Sequence, residues 1–552
     1  MRGPGLAPVP HLQRLIQVSV IDIHVPATPG NSFGNGSARG RFHERLRHLG
    51  RASLRGLRRG IEKESLRVTP QGQLALTPHP EALGAALTHP HITTDFSEAQ
   101  LELITGVHTN VEACLTELAH IHQIVNRHLP AGELLWCASM PCGLPPEEDI
   151  PIARYGRSNI GRAKAVYRIG LSHRYGRRMQ TISGIHYNFS MPEQAFPVPG
   201  LGAANEAYFA LIRNFRRHAW LLLYLFGASP AVCATFVEGR AHELRELAPG
   251  TLYLPDATSL RMGRLGYLSE AQDSLAVSYN CLESYAASLQ DALTQPYPAY
   301  QQIGLREGDD YRQLATTLLQ IENEFYSTIR PKRVIEPGER PLHALRSRGV
   351  QYVEDRAMDL DPFSPVGITA ATARFLDVFL LHCLLAESPP DTPQEVGAIN
   401  RNKQRVAARG REPGLRLERG AQTVELREWA GQLLAECEPV AQALDAAHGG
   451  ERYMASLADA LAALEDPSLL PSTRVLAAID ACGGSYLRFG LEQSLRNREA
   501  LREWPLSAQV DSAFRRMAAA SLAEQRAIEA ADTLDFEGYR QRYLSPERLL
   551  GD

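Results

Sequence analysis

Glu62 and Glu64 stand one residue apart in the stretch RGIEKESLRV (59–68), among isoleucine, leucine and valine. In a β-strand residues i and i+2 point to the same face, so a strand here aims two carboxylates at one spot. A plain solvated face is the alternative, because Asp and Glu are mostly exposed. Three further runs repeat the pattern. HITTDFSEAQLELITG, from His91, carries Asp95, Glu98 and Glu102, the last directed away from Leu101 and Leu103. In SGIHYNFS, from Ser183, Ile185, Tyr187 and Phe189 share one face, and His186, Asn188 and Ser190 the other. In VQYVEDRAMDLD, from Val350, one face holds Tyr352, Glu354 and Arg356. Antiparallel sheets with one face on a core and the other polar produce this alternation.

Several carboxylates on one sheet face repel one another unless cations neutralise them. Mg²⁺ suits such a face, since it takes oxygen ligands and bridges protein carboxylates to substrate phosphates. His186 fits as a further ligand or as a hydrogen-bonded structural residue. The basic complement comes from IRPKR, which places Arg330, Lys332 and Arg333 around Pro331, and from Arg261 and Arg356. Guanidinium groups pair with carboxylate and phosphate through two parallel hydrogen bonds. No G-x-x-x-x-G-K-[ST] loop, dinucleotide-binding fingerprint or G-x-S-x-G elbow is present. Nucleotide chemistry here must therefore rest on metals and arginines.

The elements that would position these groups follow from periodicity. Strands are expected over 60–68, parts of 91–105, 180–191 and 350–360, and helices over 111–128, 203–226, 270–295, 309–324 and 372–387. Beyond about 395 the chain turns Ala-, Leu-, Glu- and Arg-rich with helical spacing. The expected class is α+β: a core over 46–395 and a mainly α-helical region over 396–552 packed on it. Residues 1–45, rich in Gly, Ser, Pro and Arg, are expected to be a disordered leader or a misassigned start.

The 552 residues carry a net charge of −4, which gives no basic footprint for nucleic acid. Eight scattered cysteines without a C-x-x-C pair fit a reducing cytosol better than a disulfide framework. The apolar run from Phe375, FLDVFLLHCLLAE, holds Asp377 and His382, and the run from His218 is broken at 227–230. Both fall short of the roughly 20 apolar residues of a membrane span and are expected as buried helices.

Taken in order, RGIEKESLRV, HPEALGAALTHPHITTDFSEAQLELIT, SMPCGLP, YGRSNIGRAKAVYRIGL, MQTISGIHYNFSMP, YLFGASPAVC, LPDATSLRMGRLGY, LQIENEFYSTIRPKR, YVEDRAMDLDPFSPVG and EAADTLDF resemble the proteobacterial glutamate–cysteine ligases. The resemblance spans about residues 50–545. It implies a glutamine-synthetase-like catalytic core: an antiparallel sheet forming a funnel-shaped site, ringed by helices. It also implies ligation of L-glutamate to L-cysteine at the expense of ATP, through a γ-glutamyl phosphate. By motif, Glu62, Glu64, Asp95, Glu102, His186 and Glu354 resemble the ligands of two or three Mg²⁺ ions, with Mn²⁺ a substitute. Arg356 and Glu354 resemble the catalytic pair. Arg261 resembles a substrate-carboxylate ligand, and Tyr167, Ile182, Tyr267 and Tyr326 the pocket for the cysteine side chain. Arg330 and Lys332 are expected at the nucleotide from their charge. The family further implies a cytoplasmic monomer with glutathione as a candidate feedback inhibitor. Asp256 departs from the pattern, standing where an aromatic residue is expected. Two rivals share the fold: a ligase acting on another amine, with a changed tyrosine pocket, and a nucleotide-sensing protein, with metal carboxylates lost.

Overall fold

A computed structural model describes residues 35–550 except 267–269, 274 and 337. A seven-stranded sheet organises the molecule. Its strands are β1 (Arg58–Val68), β2 (Ile92–Thr94), β3 (Gln100–Ile104), β4 (Leu134–Leu135), β5 (Ile185–Ser190), β6 (Ile329–Lys332) and β7 (Tyr352–Met358). They lie in the order β6-β7-β5-β1-β3-β2, with β4 pairing the far end of β1, and all the pairings are antiparallel. The register sets Glu62 opposite His186, Glu64 opposite Glu102, and Glu354 between Asn188 and Arg330.

Period-two alternation gives this sheet two unlike faces. Ile61, Leu101, Leu103, Ile185, Tyr187, Phe189 and Val353 are all buried in the main core. Helices α4 (Ala204–Phe226) and α5 (Ala370–Leu385) close that side, with Phe215 and Phe379 edge-on at 5.8 Å. Helix α2 (Val111–His128) packs beside β1 and β3, capped by Asn110, whose Oδ1 accepts from Ala113 N at 2.9 Å. The opposite face is left for α3 (Asn159–Tyr175), whose first turn is capped by Ser158. Helix α1 (Asn35–Arg55) and the later helices α6 (Leu426–His448) and α7 (Arg452–Glu465) add an outer layer behind α5. No described helix is long and apolar enough to cross a membrane.

The α+β class holds, and so do the strand and long-helix expectations, with three differences. Residues 309–324 are not a helix but an irregular segment holding the short strand Asp310–Tyr311 and a 3-10 turn at Glu322–Glu324. Its polar residues satisfy backbone groups directly. Gln320 Oε1 accepts from Leu314 N at 2.8 Å, and Glu324 Oε2 accepts from Gln320 N at 2.7 Å. The helix expected over 270–295 divides into Glu270–Asp273 and Leu282–Thr294, because Arg213 captures the carbonyls of Tyr279 and Asn280. Residues 35–45 belong to α1, and Arg45 is buried, donating to Leu385 O at 2.8 Å. The rest of the expected leader, 1–34, lies outside the described residues. The spacing of the cysteines also gave no sign that Cys142 and Cys233, 91 residues apart, would be disulfide-bonded within a core cluster.

Asp377, the acidic residue that interrupts the apolar run of α5, explains itself here. It pairs with Arg59 of β1 (Nη2 to Oδ2, 2.9 Å) and accepts from Tyr187 at 2.8 Å, fully buried. Removing one partner of a buried pair strands the other charge in a medium that cannot solvate it, at about 3–5 kcal/mol. Asp377→Ala is therefore expected to lower the unfolding free energy by that amount, and Asp377→Asn by less. Chemical denaturation followed by circular dichroism reads the difference.

Candidate active site

The polar sheet face forms the floor of a cleft of ≈ 640 Å³. Glu62 and Glu64 rise from β1, Glu102 from β3, His186 from β5, Glu354 and Arg356 from β7, and Arg330 and Lys332 from β6; Asp95 lies in the β2–β3 turn. Each is there because alternate residues of neighbouring antiparallel strands come into line across the sheet.

At one end, single ligand atoms of Glu62, His186 and Glu354 lie within 4.8 Å of one another. His186 Nδ1 is 3.2 Å from Glu62 Oε2, and Nε2 is 3.6 Å from Glu64 Oε1. Asn188 donates to Glu62 Oε1 at 2.9 Å, and Gly184 N to Glu64 Oε2 at 2.8 Å. Lys332 Nζ approaches Glu354 Oε1 at 3.1 Å and Arg356 Nη1 its Oε2 at 3.3 Å. Glycine is required at 184, since a Cβ there would collide with the Arg261 guanidinium.

Charge is unevenly shared across this face. Burial raises Glu354, but Lys332, Arg356 and His186 together hold it well below the ordinary carboxylate value. Burial, then Asp95, push Glu64 up to about 8, against the pull of Arg261 and Arg356. Burial and the carboxylates of Glu62, Asp95 and Glu64 raise Glu102 well above its ordinary value. Burial, then Arg356, lower His186 and favour the neutral imidazole that a metal ligand requires. The donor set fits divalent cations: Glu62, Glu64 and Glu102 crowded beside Glu354 on one face, and a buried His186 Nε2 without a hydrogen-bond partner among the described residues.

The remaining expected residues separate. Tyr167 and Tyr326 line the cleft, and Gln180 Nε2 donates to the Tyr326 hydroxyl oxygen at 2.7 Å. Arg261 is buried, donates to Arg356 O at 2.9 Å, and lines a small side pocket with Tyr326 and Arg356. Ile182 is buried just before β5, its carbonyl accepting from Gln100 Nε2 at 2.9 Å. Tyr267 lies outside the described residues. Glu98 is spent elsewhere, accepting from the backbone of His79 and Arg154 at 2.9 and 2.8 Å.

Sequence reasoning missed Lys164 and Arg168 on α3. Both line the cleft; Arg168 donates to Asp95 O, and burial, then Arg168, lower Lys164 to about 8. Their signal was four-residue spacing, one helical turn, on the face that also presents Tyr167. Asn188 was placed on the correct face, but its hold on Glu62 was not foreseen.

The glutamate–cysteine ligase family model matches residues 45–406. The chain belongs to that family. A glutamate–cysteine ligase of Azotobacter vinelandii is 51% identical over 518 residues, covering 91% of this chain and 98% of that one. The crystal structure of a Francisella tularensis glutamate–cysteine ligase in complex with AMP superposes with a TM-score of 0.84 at 37% identity, covering 89% of this chain and 97% of that one. A bifunctional glutathione synthetase from Pasteurella multocida gives a TM-score of 0.68 at 26% identity, covering 87% of this chain and 58% of that longer one.

The raised Glu64 carboxyl gives a pH signature. Without metal, the folded protein keeps a proton on Glu64 between about pH 4.5 and 8 that the unfolded chain has released. This group's contribution to stability therefore falls as pH rises through that window. A metal bound by Glu64 would have to expel the proton, so Mg²⁺ affinity is expected to rise towards pH 8 and level off above it if Glu64 is a ligand. Calorimetric Mg²⁺ titrations in buffers of different ionisation enthalpy should show proton release near neutrality that is smaller in Glu64→Gln, where only Glu102 still has a raised proton to lose. Equal proton release by the two proteins would refute the assignment.

Proposed function

We propose that the protein joins the γ-carboxylate of L-glutamate to the amine of L-cysteine, with ATP converted to ADP and phosphate. The product is γ-glutamylcysteine, and the reaction is the first step of glutathione biosynthesis. The observation that carries this reading is the row of facing carboxylates, ending at Lys332 and Arg356, in a chain of this family. AMP in the Francisella tularensis relative supports ATP as the nucleotide.

A carboxylate is a poor acyl donor, so it must be activated. In the first step the substrate γ-carboxylate oxygen attacks the γ-phosphorus of ATP, the bond to the bridging oxygen breaks, and ADP leaves. In the second the cysteine amine attacks the acyl carbon, the carbon–oxygen bond to phosphate breaks, and the amine loses its proton. Positioning and charge stabilisation supply most of the acceleration in such transfers. Arg356, within 3.4 Å of both His186 and Glu354, is suited to hold the transferring phosphoryl group. Lys332 and Arg330 extend the positive edge along β6, while Lys164 and Arg168 face them from α3. Tyr167 and Tyr326 offer an aromatic wall for the thiol-bearing side chain. Glu62, His186 and Glu354 would hold one Mg²⁺, and Glu64, Asp95 and Glu102 one or two more; when bound, the ions neutralise phosphate charge.

The deciding experiment is ADP release with Mg²⁺-ATP and glutamate, with and without cysteine, against 2-aminobutyrate and plain amines. Cysteine-preferring turnover, with γ-glutamylcysteine seen by mass spectrometry, is the expected result; no glutamate-dependent turnover with any amine would overturn it. Arg356→Lys keeps the charge but loses the planar fork, and kcat is expected to fall roughly 10²–10³-fold at an unchanged melting temperature. Glu354→Gln is expected to abolish turnover and weaken Mg²⁺ binding, as read by calorimetry.

A further inference from the structure

Lys63 stands between Glu62 and Glu64 on β1, so its side chain leaves the sheet on the opposite face. It is buried, at 3% exposure, beside a cavity of ≈ 20 Å³ that is separate from the cleft. Its Nζ lies 2.9 Å from Nε2 of His122, itself buried on α2. His122 Nδ1 lies 2.7 Å from the carbonyl of Leu118, which can only accept. Nδ1 therefore carries the hydrogen, and Nε2 presents its lone pair to Lys63. That uses one of the three donors of an ammonium group. No carboxylate lies within ion-pair distance of Lys63 among the described residues.

Most other polar groups of the lining are already paired: Asn497 Nδ2 donates to Pro362 O at 2.9 Å and Ser364 Oγ to Ile368 O at 2.8 Å, which leaves Lys63 and Arg498 as the donors facing the space. Ser494 Oγ already accepts from Cys137 N at 3.0 Å, and Asn497 Oδ1 from Gln493 Nε2 at 2.9 Å. Arg498 Nε is buried without a hydrogen-bond partner, 3.5 Å from the exposed carboxylate of Glu499 but outside bonding geometry. The lysine stem is held in place: Gly367, at φ 80°, sits where an added Cβ would lie 3.0 Å from Lys63 Cε. A ligand for this cavity must accept hydrogen bonds, carry negative charge and be small. About 10–15 Å³ admits one water-sized particle, so the space takes one monatomic ion and excludes phosphate or sulfate.

We propose that the Lys63–His122 cavity is a binding site for a single halide-type anion, a counter-charge seated behind the strand that presents Glu62 and Glu64. Occupancy would brace β1 from its back, in the way Asp377 answers Arg59 two turns of the pleat earlier.

The test uses the full chain. Crystals soaked in bromide are expected to show an anomalous peak beside Lys63 Nζ. At matched ionic strength, replacing gluconate by bromide or chloride should raise the melting temperature by roughly 1–3 °C. Lys63→Met removes the cation and should lose both the peak and the halide-specific shift. Asn497→Asp supplies an internal carboxylate and should lose them too, which keeps the test sharp if Lys63→Met folds poorly. A wild-type cavity holding only water in bromide would overturn the proposal, as would the same halide response in wild type and Asn497→Asp.

Discussion

Like-charge crowding on one sheet face is the constraint around which this molecule is built. Glu62, Glu64, Glu102 and Glu354 reach the same cleft, and Glu64 and Glu102 hold their protons far above the ordinary range because their neighbours and burial oppose charge. Such a face is not a stability device. In the proposed function divalent cations and a nucleotide would supply the missing charge, while the edge strand β6 and helix α3 bring cationic side chains to the rim. The site is thus tense in isolation and satisfied when loaded, which suits an enzyme that must bind a tetra-anionic substrate.

Holding that face in place falls to the side of the sheet buried in the core. Glu62 and Glu64 alternate along β1 with Arg59, Ile61 and Lys63, which enter the interior. Ile61 packs into the apolar core, Arg59 meets Asp377, and Lys63 meets His122. The central strand is therefore anchored by a buried ion pair and a buried hydrogen bond directly behind its carboxylates. A displacement of β1 by a fraction of an ångström would shift Glu62 relative to His186 and Glu354, so the back of the sheet enforces the spacing of the front.

The strand-borne part of the site was legible because it rests on period-two alternation, a local property. The face carrying His186 and Asn188, the face carrying Glu354 and Arg356, and the outward direction of Glu102 are each read from five or six consecutive residues. Residues 309–324 misled for the converse reason. Their apolar rhythm is helical, yet Gln313, Gln320 and Glu324 are buried and spend their side chains on backbone groups of Tyr300, Leu314, Gln320 and, across the fold, Tyr167, which the rhythm does not encode. Glu98, in the same run as Asp95 and Glu102 but outside the expected ligand set, spends its carboxylate on two loop amides.

By itself, the sequence determined which strands have one polar face, which residue types occupy it, that cations must answer it, and, through its collinear motifs, the family. Alternation and residue chemistry are short-range, so these needed no fold. Only the tertiary structure decided that Glu62 faces His186 and Glu64 faces Glu102, that Lys164 and Arg168 look down on them from α3, and that Asp377 reaches Arg59 across 318 residues. Register and long-range pairing depend on how whole faces bury against one another, and that free energy belongs to the assembled core rather than to any segment.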